Sequence, residues 1–236
     1  MKISQYNLNT IFATSKSTPT FYFSDPVFNV SHVKVSEVVI PNSFYVFDSK
    51  NNQFSFKEGS GATTTFSITP GNYTASTLIS HLKTLLESVS ENTLTYTLTY
   101  NSATAKITYA VSASTFTLLP IENNCYYELG LTNSLNSASA SIESNVIDLS
   151  GVKAINLVSS SFGGNICNVV GSQYNVLCSI PVNVGFLGIL FYQNSSEFID
   201  TNLDNLYTGS FTLLDERMRP LLNTQDFQMT LLLKTV

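Results

Sequence analysis

Apolar and polar residues alternate along most of the chain with a period of two, the spacing of a strand with one face buried. Phe21–Phe23 and His32–Ile40 read as the first strands. In the second, Val33 and Val35 alternate with His32, Lys34 and Ser36, then Val38 follows Glu37, and Pro41-Asn42 closes the run. Gln53–Lys57 and Thr64–Ile68 come next, joined by a turn at Gly59–Gly61. The period then changes. After Pro70-Gly71-Asn72, Thr74 stands as an N-cap. Leu78, Ile79, Leu82, Leu85, Leu86 and Val89 recur at helical spacing, with Ser80, Lys83 and Glu87 on the other side. One helix is therefore predicted near 74–89, with its apolar face turned to a core.

Strands resume at Thr93–Tyr100 and Lys106–Val111, with Asn101–Ala105 as the hairpin loop, and Thr115–Leu119 adds another. Cys125–Leu131 predicts a helical turn ending at Gly130. Thr132–Glu143 is rich in Ser, Asn and Ala and reads as a loop. A second β block holds Val146–Leu149, Ala154–Ser160, Tyr174–Ile180, Gly188–Tyr192, Ser210–Leu214 and Phe227–Lys234. Gly163-Gly164 and Gly171 mark an exposed loop within it. The last strand places Phe227, Met229, Leu231 and Leu233 on one face. Many strands and one long helix predict a mainly β protein, an antiparallel β-sandwich carrying an α+β excursion.

A chain of 236 residues is long enough for one large β domain, or a β domain with a modest insertion. Charged residues make up 11% of it, where an ordinary soluble domain has about 25%. Ser, Thr and Asn fill the polar positions, and a weakly charged surface of that kind suits protein–protein contact. The net charge is −5, and the 11 Lys and Arg residues are scattered. Phosphate neutralisation needs a basic cluster, so no nucleic-acid partner is expected. Cys125, Cys167 and Cys178 form no CxxC pair and are odd in number. They read as small buried residues rather than a disulfide framework, which suits a reducing compartment of synthesis. The first twenty residues lack the apolar stretch of a leader, and the run Val182–Tyr192 is too short for a membrane span.

Candidate chemistry is sparse. His32 and His81 are the only histidines, and neither has partners at a ligand spacing. There is no HExxH and no G-x-S-x-G elbow. Gly59-Ser60-Gly61-Ala62-Thr63 lacks the lysine and the following helix of a phosphate loop. Asp200, Asn202 and Asp204 have the first spacings of a calcium loop, but Asn205 and Phe211 stand where its Gly and Glu belong. Asp215-Glu216 has nothing that marks an acid/base pair. No catalytic residue, metal site or cofactor is expected, and the protein reads as a non-enzyme.

Two stretches carry a resemblance. The first runs from Ile40-Pro41-Asn42-Ser43-Phe44-Tyr45 through Phe54-Ser55-Phe56 and Ile68-Thr69-Pro70-Gly71-Asn72-Tyr73-Thr74. It continues over the helix with Leu78 and Leu82 and the hairpin Leu94–Tyr109 to Glu128-Leu129-Gly130-Leu131. The second is Phe211-Thr212-Leu213-Leu214-Asp215-Glu216, then Pro220-Leu221-Leu222-Asn223 and Phe227-Gln228-Met229-Thr230-Leu231. Together they cover roughly two thirds of the chain. The pattern resembles the penton and minor capsid proteins of virophages, polinton-like viruses and related large DNA viruses. This chain departs from the usual glycine turn after the acidic pair, having Arg217-Met218-Arg219 there.

The resemblance implies a single jelly roll formed by 1–50 plus 144–236, with 51–143 as an α+β insertion; the sequence alone also allows two sequential domains. It implies a homopentamer at the five-fold vertices of an icosahedral virion, made in the host-cell cytoplasm. Its partners would be copies of itself, double jelly-roll major capsid proteins and other minor capsid proteins. Two alternatives stay open: a minor capsid or fibre-like virion protein, and a jelly-roll module that binds a glycan or receptor. For the latter, Tyr126-Tyr127 and Tyr192 are the candidate stacking residues.

Overall fold

The structure, a computed structural model, describes residues 1–13, 15–16, 18–163, 165–169, 172–222 and 225–236, with backbone alone at 165–169 and 172. It divides into two compact units, Met1–Phe44 with Val152–Val236, and Tyr45–Gly151. The chain begins with β1 (Lys2–Asn9) and β2 (Thr20–Pro41). The second unit follows with β3 (Gln53–Glu58), β4 (Thr63–Ser67), α1 (Ala75–Val89), β5 (Tyr96–Asn101), β6 (Lys106–Val111), β7 (Phe116–Leu118) and β8 (Ser141–Glu143). The return segment carries β9 (Ala154–Ser159), β10 (Asn165–Val169), β11 (Ser172–Pro181), β12 (Ile189–Gln193), β13 (Ile199–Leu214) and β14 (Gln228–Thr235). The fold is mainly β, its named strands pair antiparallel, and among the described residues one α-helix lies in the second unit, as the spacing predicts.

The eight strands of the first unit run in the order β1-β14-β2-β13-β9-β11-β10, with β12 also on β2. β12 and β13 lie end to end along one side of β2, β12 against Glu37–Pro41 and β13 against Thr20–Val33. Beyond Ser210, β13 leaves β2 and pairs β9 through Phe211–Leu214. Inward side chains of both strand groups meet in one core: Val33, Val35 and Ile40 of β2, Leu231 and Leu233 of β14, Ile155 and Leu157 of β9. The sequence expectation for β2 was two strands; the structure has one of 22 residues. It keeps its core face by a bulge. Val35 pairs Leu231 but Glu37 pairs Thr230, so Ser36 is the extra residue. That shift turns the odd-numbered apolar set, Val33 and Val35, into the even-numbered set, Val38 and Ile40. The Ser36 hydroxyl donates to Thr230 O (3.3 Å), and its carbonyl accepts from Asn194 N (2.8 Å).

The second unit has two three-stranded sheets, β4-β3-β7 and β5-β6-β8, and the helix. Thr74 caps α1, its side chain accepting from Thr77 N, while Thr77 Oγ1 accepts from Thr74 N, so two N-terminal amides are satisfied. Leu78, Leu82 and Leu86 are buried among Phe54, Phe56 and Tyr96, and Ile79, Leu85 and Val89 flank them. Glu87 is not simply outward, since its Oε1 accepts from Tyr96 N at 3.1 Å.

Several local expectations are corrected. Lys2–Asn9, to which the sequence reading assigns no element, is β1; Tyr6 and Leu8 pack on the core and Tyr6 meets the Phe23 ring edge-on at 5.0 Å. Ser141–Glu143, expected in a loop, pairs with Thr108–Ala110. Val146–Leu149 is not a strand. The amides of Ile147 and Asp148 donate to Ala105 O and Glu128 O, single bonds that are not continued into a ladder with either segment. The turn after Cys125 does end at Gly130, whose φ of +65° only glycine adopts cheaply. A Cβ there would also run into the Asn145 carbonyl. Between Gly163 and Gly171, where a loop was expected, the backbone forms β10; Gly164 and Gly171 themselves, like Asn223, lie outside the described residues.

Candidate interaction surface

The titratable residues are committed to structure. Asp200, Asn202 and Asp204 lie in β13, on alternate exposed positions of an extended strand rather than round a loop, so they do not form a calcium loop. Asp200 instead meets His32, with Oδ1 3.0 Å from Nε2, on β2 beside it. His81 stacks on Tyr73 at 5.5 Å and accepts from Thr69 N at 3.4 Å. Asp215 is buried and accepts from Arg217 N, Arg219 N and Arg219 Nε at 2.7–2.8 Å, while Glu216 accepts from Lys153 N. Asp215 thus holds the turn, and Glu216 ties it to the residue before β9.

The two described thiols are equally inert. Cys125 is fully buried, donates to Gln53 O at 3.2 Å, and burial, aided by the nearby Glu128 charge, pushes it well up. Burial pushes Cys178 to about 12. Neither supplies a thiolate at neutral pH. The side chain of Cys167 lies outside the described residues. Among the described residues no group of three or more His, Cys, Asp or Glu could hold a metal ion, and no helix is long and apolar enough to cross a membrane. Of the proposed stacking residues, Tyr126 is wholly buried, its hydroxyl 2.7 Å from Ser55 O and Leu119 O. Tyr127 is exposed and Tyr192 packs partly on the core.

The first unit also exposes a row of large apolar side chains. Phe186, Leu187, Ile189 and Phe191 are 45%, 70%, 65% and 60% exposed within six residues of chain. The end of β2 positions them. Asn42 is buried and staples the preceding loop: its Nδ2 donates to Val184 O, its carbonyl accepts from Leu187 N, and its own N donates to Gly188 O, all at 2.8–2.9 Å. The tight turn closes through Gly188 N to Gly185 O (2.9 Å) and sets Leu187 at φ +65°. β12 then alternates, with Leu190 in the core and Ile189 and Phe191 outward. Phe191 pairs with the half-buried Val39 on the outer face, and the row ends at a polar contact, Gln193 Nε2 to Glu37 Oε1 (3.3 Å).

A second exposed group lies on the stretch where β2 meets β13: Tyr22, Phe28 and Tyr207. Among the described residues β1 pairs with β14 alone. The sequence carried a signal for the first row. Ile189-Leu190-Phe191-Tyr192 is large and apolar at consecutive positions, so a strand here turns apolar side chains to both faces.

Residues 4–211 match a family of unknown function (DUF5901). No curated protein matches the sequence. The crystal structure of SeMet-labelled mavirus penton protein aligns over 100% of both chains, with 9% identity and a TM-score of 0.49. A likeness at that level leaves the role of this chain to be read from its own residues.

Proposed function

The chain belongs to that family of unknown function, DUF5901, and from its own surfaces we propose that it is a structural capsid protein, working as a subunit assembled with copies of itself. The observation that carries the reading is the row Leu187, Ile189 and Phe191, each at least 60% exposed. Three large apolar side chains so exposed contribute little to a monomer, whereas an interface core is apolar with a polar rim. The low charge of the whole chain points the same way. The two motif-bearing stretches, which resemble virophage and polinton-like penton and minor capsid proteins, supply the virion.

In this reading the first unit is a single jelly roll and the second an insertion carried by it. Five copies close a ring at the icosahedral vertex through heterologous contacts, each subunit using two different patches. Tyr22, Phe28 and Tyr207 are available as the second patch. Double jelly-roll major capsid proteins surround the ring.

Mass photometry of the purified full chain tests this. Pentamers are expected, with Phe191→Asp giving folded monomers whose circular-dichroism spectrum matches that of the wild type. A wild-type monomer would defeat the assembly reading. A trimer would replace the penton with the fibre-like alternative.

A further inference from the structure

The first unit carries opposite charges at two places beside its exposed apolar groups. Lys34 alternates with the buried Val33 and Val35, so it stands on the outer face of β2, as Val39 does between Val38 and Ile40. Lys234 of β14 joins it there, paired with His32. Both ammonium groups lie over the Phe198 ring, Lys234 Nζ at 3.9 Å and Lys34 Nζ at 5.9 Å from its centroid. The ring thus gathers two cations from opposite ends of the chain. Two nearby carboxylates are engaged by other groups, Asp200 by His32 (3.0 Å) and Glu37 by Gln193 (3.3 Å). Among the described residues neither lysine forms an ion pair, with Glu197 beside Phe198 or with any other acid.

Where the first part of β2 meets β13 the sign is reversed. Asp25 and Asp204 are exposed there among Tyr22, Phe28 and Tyr207. Asp25 lies in the irregular stretch between the pairs Tyr22–Thr208 and Val27–Leu206, and Asp204 precedes Asn205, the partner of Phe28. Neither Thr20–Val30 nor Ile199–Leu214 contains a Lys or Arg. Among the described residues neither aspartate forms an ion pair.

We infer that this acidic, tyrosine-bearing patch of one copy docks on the outer face of β2, β12 and β14 in the next copy, with Asp25 and Asp204 against Lys34 and Lys234. Ile189 and Phe191 stand on that same face, Phe191 beside Val39, so apolar contact and charge contact come together. Opposite charges fix the register of two apolar surfaces, and like charges exclude the wrong one. Each patch repels a second copy of itself, so the contact is head-to-tail, the heterologous geometry that a closed ring requires. The inference rests on the assembly reading and adds which surface meets which.

Sedimentation of the full chain across a dilution series tests it. Asp25→Lys with Asp204→Lys should weaken self-association about tenfold or more, and Lys34→Glu with Lys234→Glu should do the same. The four changes combined should restore association to within about threefold of wild type, because the charges are then exchanged rather than removed. Should the lysine changes unfold the chain, Asp25→Asn with Asp204→Asn decides, since both aspartates are exposed. Wild-type association should then weaken about tenfold between about 50 mM and about 500 mM salt, and that of the neutralised variant should barely change. A wild-type chain that stays monomeric overturns the assembly reading and this pairing with it. Assembly that is indifferent to the reversals, that a folded four-change variant does not recover, or whose salt dependence survives the neutralised aspartates overturns the pairing alone.

Discussion

The hydroxyl of Tyr96 donates to the carboxylate of Glu58 across 2.8 Å, inside the core of the second unit. Asn92 adds two bonds to the same carboxylate, from Nδ2 at 3.1 Å and from its backbone N at 3.3 Å. Glu58 therefore ties the end of β3 to the segment leaving α1 and to the start of β5. Burial works against its charge, but the hydrogen bonds from Ser90, Tyr96 and Asn92 together outweigh it and hold the carboxyl below its usual range. The same burial and the Glu58 charge push the Tyr96 phenol far up, so it stays a donor.

A carboxyl lowered in the folded state contributes stability that is complete above its unfolded value and is lost as pH falls through the folded one. Glu58→Gln should thus cost about 1–3 kcal/mol at pH 7. It should also flatten the fall in stability below pH 4.5, the ordinary value for the group. Urea unfolding at pH 7 and at successively more acidic pH checks both.

Leu82 is fully buried at the centre of the helix face. Leu82→Asp places a charge among Phe54, Phe56 and the other helix leucines and should cost at least about 3 kcal/mol. A melting temperature within a degree or two of wild type would mean that α1 is not docked.

Asp215 satisfies three donors of the turn 215–219, where Met218 sits at φ +60° with its side chain buried. This is how the chain makes the turn without the glycine that related motifs place there. Asp215→Ala should cost about 2–3 kcal/mol, since charge-assisted bonds are lost and backbone amides left unmet. The Arg219 side chain is partly exposed, so Arg219→Ala should cost less. Thermal melts of the two variants give the order.

Leu187 combines a left-handed backbone with 70% exposure. Such a backbone costs a non-glycine residue about 1–2 kcal/mol, partly offset in glycine by greater chain entropy. Leu187→Gly should leave the melting temperature of the dissociated chain equal or higher, while weakening self-association. Sedimentation across a dilution series checks this; unchanged association would remove Leu187 from the interface.

Local chemistry made much of the fold legible in the sequence. The apolar spacing from Leu78 to Val89 and the Thr74 cap define α1, because a helix repeats every 3.6 residues and its N-terminus needs an acceptor. The β14 alternation from Phe227 to Leu233 is buried as read. Even the β2 bulge is written there, as the change of parity between Val35 and Val38.

Tertiary packing decided the rest. β1 forms because β14 offers it an edge and Phe23 offers Tyr6 a ring, neither of which is near in sequence. Val146–Leu149 has strand-like residues but finds separate partners at Ala105 and Glu128 instead of a ladder. Nothing local in the sequence marks Glu58 or Asp215 as buried; Tyr96, Asn92 and Arg219 reach them only in the folded chain. The exposure of Ile189 and Phe191 likewise depends on which face of β12 the core covers. Composition and alternation set which segments can bury a face; long-range pairing alone sets what lies against each face, and so which apolar row is left for another molecule.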